Sequence, residues 1–101
     1  DLTRLFVGTY YEKPGDFGIF ANTLAPAPGR ALVPWARSDA PGAADGGPKF
    51  DLSRWDPAYS ERLRSFVSEA GKRGIVVEVV LFSSYYGSGW PYSPMNAANN
   101  R

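Results

Sequence analysis

Glu78 is a carboxylate set in the middle of Ile75-Val-Val-Glu-Val-Val-Leu-Phe82, an otherwise apolar and β-branched run. A charge buried there needs a partner, because an unpaired carboxylate in an apolar interior is strongly disfavoured. Arg4, within Thr3-Arg-Leu-Phe-Val-Gly-Thr9, is a suitable one. Strands alternate their side chains, so Val76, Glu78, Val80 and Phe82 share one face, and Arg4, Phe6 and Gly8 share one face of the other strand. If the strands are neighbours, a guanidinium fork meets a carboxylate. Two roles are open to Glu78: a catalytic carboxylate, or one half of an interior ion pair that orients a site.

The second set is aromatic. Three Trp, six Tyr and six Phe make up 15% of the chain, and 11 of these residues lie outside the helix and two strands read below, so core packing alone does not explain them. Tyr10 and Tyr11 follow the first strand; Tyr85, Tyr86, Trp90 and Tyr92 follow the second. Sugar rings expose flat C–H faces that pack on aromatic planes, and Tyr adds a hydroxyl for sugar hydroxyls. The plainer role for each is to staple a long loop to the body of the protein. Trp35 and Trp55 suit packing anchors, with Trp55 placed to act as a hydrophobic staple against the first turn of the helix. Glu12, Asp51 and Asp56 read as loop acids, Asp56 as a helix cap and Glu12 near enough to a strand end to face a ligand. Asn22, Asn96, Asn99 and Asn100 are suited to sugar hydroxyls or to turns.

Composition narrows the chemistry. The 101 residues contain no Cys and no His, which removes thiolate nucleophiles, disulfides, Ser-His triads and nearly all zinc and haem sites. Neither a metal nor a cofactor is expected. Eleven basic against ten acidic residues leave a net charge of +1, so no nucleic-acid partner and no anionic membrane surface is expected. No apolar run approaches the ~20 residues of a membrane span, and no basic segment followed by an apolar one opens the chain. The first residue is Asp1, so the expectation is a chain processed or cut from something longer.

The elements that must position these residues are few. Residues 3–9 read as a first strand, 57–72 as a helix and 75–82 as a second strand covered on both faces. Asp56 suits the N-cap, Pro57 the first helical position, and Tyr59, Leu63, Phe66, Val67 and Ala70 recur at helical spacing. Lys72 and Arg73 suit the negative helix end, and Gly74 the left-handed residue that closes it. Residues 10–55 and 83–101 read as long irregular connections, with residues 38–48 an exposed, mobile tip. Both long connections follow strand C-terminal ends, the edge where α/β folds carry their sites. One helix and two parallel strands leave a sheet face and both edges open, so a piece of a larger fold is expected.

Five segments carry a resemblance: Leu2-Thr-Arg-Leu-Phe6, Pro34-Trp-Ala-Arg-Ser38, Lys49-Phe-Asp-Leu-Ser-Arg-Trp55, Arg73-Gly-Ile-Val-Val-Glu-Val-Val-Leu-Phe82, and Trp90 with the Asn99-Asn100 tail. Together they resemble cellulase-like (β/α)-barrel glycoside hydrolases, in particular bacterial members of the clan that includes cellulases and mannanases. The resemblance spans essentially the whole chain but only about two-fifths of a roughly 250-residue barrel. It implies an α/β fold, a partial (β/α)8 TIM barrel in which residues 1–101 are a βαβ unit carrying the second and third strands. Arg4 would lie near the catalytic centre. The acid/base Glu of an Asn-Glu-Pro motif would belong to the fourth strand and the nucleophilic Glu to the seventh, so Glu78 is expected to be structural and no catalytic residue is assigned here. Arg4, Tyr10, Tyr11, Glu78, Tyr85, Tyr86, Trp90 and Asn99 are the expected substrate-binding residues. The implied partners are a β-linked glycan and the remainder of the barrel, in an extracellular or periplasmic setting. A non-catalytic carbohydrate-binding protein is the alternative, although that class usually shows all-β alternation. A single-strand nucleic-acid binder using loop aromatics would also need a basic groove, which a net charge of +1 does not provide.

Overall fold

The computed structural model describes residues 1–7, 31–82 and 89–101. In chain order they form β1 (Leu2–Phe6), β2 (Trp35–Pro41), β3 (Pro48–Trp55), helix α1 (Pro57–Lys72), β4 (Val76–Val80) and a short 3-10 turn, Trp90–Tyr92. The strands make two separate pairs. β1 and β4 are parallel, and β2 and β3 are an antiparallel hairpin. This is a small α/β arrangement with mixed strands and one helix.

Helix α1 begins and ends for local reasons. Asp56 is extended (φ −87°, ψ 112°) and its Oδ1 accepts a hydrogen bond from the Ala58 N–H at 2.9 Å, while Pro57 occupies a first-turn position that needs no donor. At the other end Gly74 adopts φ +69°. The Ile75 N–H reaches back to the Ala70 carbonyl and the Gly74 N–H to that of Gly71, both at 3.0 Å, which closes the helix in a Schellman turn. The chain then enters β4 directly.

β1 and β4 pair in register from Leu2↔Val76 to Phe6↔Val80, so Arg4 lies opposite Glu78. Thr3 and Val7 line grooves shared with α1. Arg4 and Glu78, out of phase with them, therefore lie on the face turned away from the helix.

Three expectations are corrected. The second strand, Val76–Val80, is shorter than residues 75–82, and the first begins at Leu2; pairing spans five residues of each, followed by one further bond from the Val7 N–H to the Val80 carbonyl, while Gly8 and Thr9 lie outside the described residues. Nor is β4 covered on both faces. Val76 is 65% exposed and Phe82, just beyond the strand on the same face, is 67% exposed, because no described residue covers the face turned away from α1; Leu81, on the α1 side, is also 62% exposed.

The third correction concerns residues 10–55. Their second half is not an irregular connection but the hairpin, with Pro41 and Pro48 at the ends of its strands, where a missing donor is tolerated. Gly42 (φ +102°) and Gly46 (φ +84°) make its turn. Two irregularities explain why no clean alternation appears. Between Trp35 and Ala36 the register shifts, and Asp51 fills the bulge by accepting from the Ser53 N–H and hydroxyl and from Arg54 Nε. Nearer the turn, the Ser38 hydroxyl donates to the Lys49 carbonyl and accepts from the Ala40 N–H. The tip is exposed at Gly42, Ala44 and Gly46 but is pinned, since Ala43 is buried and Arg37 forks onto Asp45.

Candidate functional site

The sequence-derived pair at the centre of the sheet is formed. Arg4 Nε donates to Glu78 Oε2 at 2.8 Å. It is not interior, however: the side chains are 59% and 45% exposed, so the contact is a surface ion pair, worth about 0–1 kcal/mol. Leu2, Phe6 and Val76 share this face and are also exposed. The result is an open apolar strip with one charge pair at its centre.

The described parts of the two long connections, the hairpin and residues 89–101, meet each other. Residues 89–101 lie along β3: Phe50 and Asn100 form a parallel bridge, the Phe50 N–H donates to the Asn99 carbonyl at 2.7 Å, and the Arg101 N–H to the Phe50 carbonyl at 3.1 Å. Arg101 also pairs with Asp39 at 3.0 Å. The segment is irregular as expected, apart from the Trp90–Tyr92 turn, and a single bridge at Asn100 fastens it to β3. Its side-chain anchor is Asn99, which is 1% exposed. The Asn99 Oδ1 accepts from the Ala44 N–H at 2.8 Å, and its Nδ2 donates to the carbonyls of Pro91 and Ser93 at 2.7 and 2.9 Å. One amide therefore ties the hairpin tip to the turn that carries Trp90, whose own side chain is 55% exposed.

The two Trp residues flanking the hairpin stack on each other, with ring centres 6.0 Å apart and planes inclined by 18°. Trp55 remains 69% exposed and borders a groove of about 520 Å3 with Val7, Pro34, Tyr59, Leu63 and Leu81. This groove sits where the strands end and the helix begins. Burial pushes the Tyr59 hydroxyl's pKa above its ordinary value.

The acids are held as ions by neighbours. Asp51 falls to about 2 through the Ser53 hydroxyl, the Arg54 guanidinium and the Ser53 N–H. Asp45 is lowered chiefly by its bond to Arg37, and Glu69 by Arg73 and Lys72. Arg37 also lies over the Phe50 ring, 3.9 Å from its centre, so the cation has an aromatic partner as well as Asp45. Among the described residues no group of three or more acidic side chains is placed to hold a metal ion, and no helix is long and apolar enough to cross a membrane.

Of the expected substrate-binding residues, Arg4 and Glu78 come together, Trp90 is presented to solvent, and Asn99 is buried beneath Trp90's turn. Tyr10, Tyr11, Tyr85 and Tyr86 lie outside the described residues, as do Gly8, Thr9, Glu12 and Asn22. Sequence reasoning missed the Asn99 clamp and the Trp stack. The stack had a legible signal in Trp35 and Trp55, one at each outer end of a segment rich in turn residues; the clamp had none. Comparison with protein-family models, curated proteins and solved structures finds no match for this chain.

Proposed function

We propose that this chain is the portion of a (β/α)8-barrel glycoside hydrolase that holds its second and third strands. It contributes substrate-binding loops for a β-linked polysaccharide or oligosaccharide, while the catalytic Glu pair stands on other strands. The observation that carries the reading is the face of the β1–β4 sheet turned away from α1. That face is apolar at Leu2, Phe6 and Val76 and carries Arg4 and Glu78 side by side. Fully burying each such apolar side chain contributes roughly 1.5–3 kcal/mol, so a covering layer is strongly favoured. In a closed barrel it is this face that turns inward, and the ion pair then lies in the interior near the reacting sugar. The described parts of both connections, the hairpin and residues 89–101, are joined to each other, which suits loops that share one edge of a barrel, where such enzymes bind substrate. A polymeric glycan outside the cell places the protein in an extracellular or periplasmic setting.

The test is the coding sequence beyond Arg101, followed by assay of the whole encoded protein on β-glucan, mannan and aryl β-glycosides. The expected result is an Asn-Glu-Pro at the end of the next strand and hydrolysis that is lost when its Glu becomes Gln. A following sequence without further βα units refutes the reading.

A further inference from the structure

Residues 89–101 invert the usual order of burial. Asn99, Ser93 and Pro94 are almost wholly enclosed, while Trp90 is 55% and Met95 39% exposed. A buried amide beside an exposed indole is informative, because apolar burial alone would arrange them the other way. The main chain here is fixed by side-chain amides. Asn96 Nδ2 donates to the Trp90 carbonyl at 3.2 Å, and Asn99 Nδ2 to the carbonyls of Pro91 and Ser93. Asn100 Nδ2 donates to those of Pro94 and Asn96 at 2.9 and 3.0 Å. Five carbonyls in seven residues are thereby captured, and Asn99 joins the set to Ala44 of the hairpin.

From this geometry we infer that Asn99 and Asn96 are positioning residues that act through Trp90, and that the Trp90 indole is a stacking platform for a sugar ring. The inference rests on the carbohydrate reading above and deepens it. A Trp side chain has two rotatable bonds, so once its main chain is fixed it loses little freedom on binding a ring. The flat apolar face of a β-linked hexose matches the indole plane, and the amides never touch the sugar. Asn99 is thus reassigned from a ligand contact to a support beneath one.

The experiment titrates the 101-residue chain with cellohexaose and with mannohexaose, following the indole N–H signals of its three Trp residues by NMR. Trp90's signal is identified by its loss in Trp90→Phe. The expected result is that Trp90's signal moves on titration while those of Trp35 and Trp55 do not, and that Trp90→Ala weakens binding at least about five-fold. Asn99→Asp sets a carboxylate against two carbonyls, so Trp90's free-state signal shifts and binding weakens with the Trp35 and Trp55 signals unchanged. If those two signals also collapse, Asn96→Ala replaces it, since that change removes only two exposed bonds, one to the Trp90 carbonyl and one from the Ala98 N–H; the same loss is expected at smaller amplitude. Wild-type chain that binds neither oligosaccharide defeats the carbohydrate reading and this inference with it. Binding that survives Trp90→Ala intact overturns the platform alone, and unchanged affinity in Asn99→Asp or Asn96→Ala overturns the positioning role.

Discussion

The Arg4–Glu78 pair offers a measurable distinction between a chain that stands alone and a piece of a closed barrel. In this structure both side chains are about half exposed, and the contact is one bond of 2.8 Å from Nε rather than a two-pronged fork. Solvent screening therefore limits the pair to about 0.2–1 kcal/mol. A double-mutant cycle with Arg4→Met, Glu78→Gln and both together, read by urea unfolding of the 101-residue chain, should give a coupling energy in that range. The coupling should fall toward zero between 0.1 and 1 M salt, as the screening length shrinks from about 10 to about 3 Å. In the barrel proposed above the same face would turn inward, and removing one partner would strand the other in a poorly solvated interior at a cost of about 3–5 kcal/mol. Glu78→Gln there should lower stability or activity without abolishing the bond-breaking step, since the proposal assigns the nucleophile to another strand. A coupling energy equal in both settings, or one insensitive to salt in the short chain, refutes the claim that this face is covered by further strands.

Four further outcomes are expected. Asp56→Ala removes the bond to the Ala58 N–H and should destabilise the chain by about 1 kcal/mol in thermal unfolding, while Gly74→Ala, forced to φ +69°, should cost about 1–2 kcal/mol although nothing crowds the site. Asp51, with its pKa held at about 2 against an unfolded value near 3.9, favours the folded state above pH 3.9, and that contribution disappears as pH falls from there toward 2; NMR titration of Arg54→Ala should show the carboxyl moving back up. The 101-residue chain should hydrolyse no β-glucan, mannan or aryl β-glycoside, and turnover lost on Glu78→Gln or Glu12→Gln would overturn the division of labour proposed for the barrel.

The parts of the fold that could be read from the residues are those whose causes are local. Asp56, Pro57 and Gly74 mark both ends of α1, and the observed helix spans Pro57–Lys72 as the spacing predicts. Alternation in two apolar runs was enough to bring Arg4 opposite Glu78. The hairpin escaped detection because its alternation is broken twice, at Asp51 and at Ser38, where side chains replace ladder bonds and shift the register. Prolines at its ends read equally well as loop residues. The exposure of β4 was misjudged for a different reason: a continuous apolar run records the environment a strand is built for, and among the described residues that environment is present on one face. The Asn99 clamp depends on residues 44 and 99, far apart in sequence, and no local pattern announces such a contact.

The open face of the β1–β4 sheet and the loops are separate features of the chain. The sheet places Arg4 and Glu78 on the open face, while the described parts of the following connections are tied to each other. The β3–Asn100 bridge, the Asn99 amide and the Asp39–Arg101 pair make the hairpin and residues 89–101 one body. The side-chain amides of Asn96 and Asn99 hold the main chain that carries Trp90. Weakening the joint should therefore alter ligand binding before it alters the β1–β4 pairing, since the Phe50, Ala44 and Asp39 contacts to residues 99–101 involve neither strand. Asn99→Asp separates the two effects. Hydrogen exchange at the Phe50 and Arg101 amides should rise in that variant while the Val7 amide, bonded to Val80, keeps its protection; equal loss at all three would show that sheet and loops unfold as a single unit.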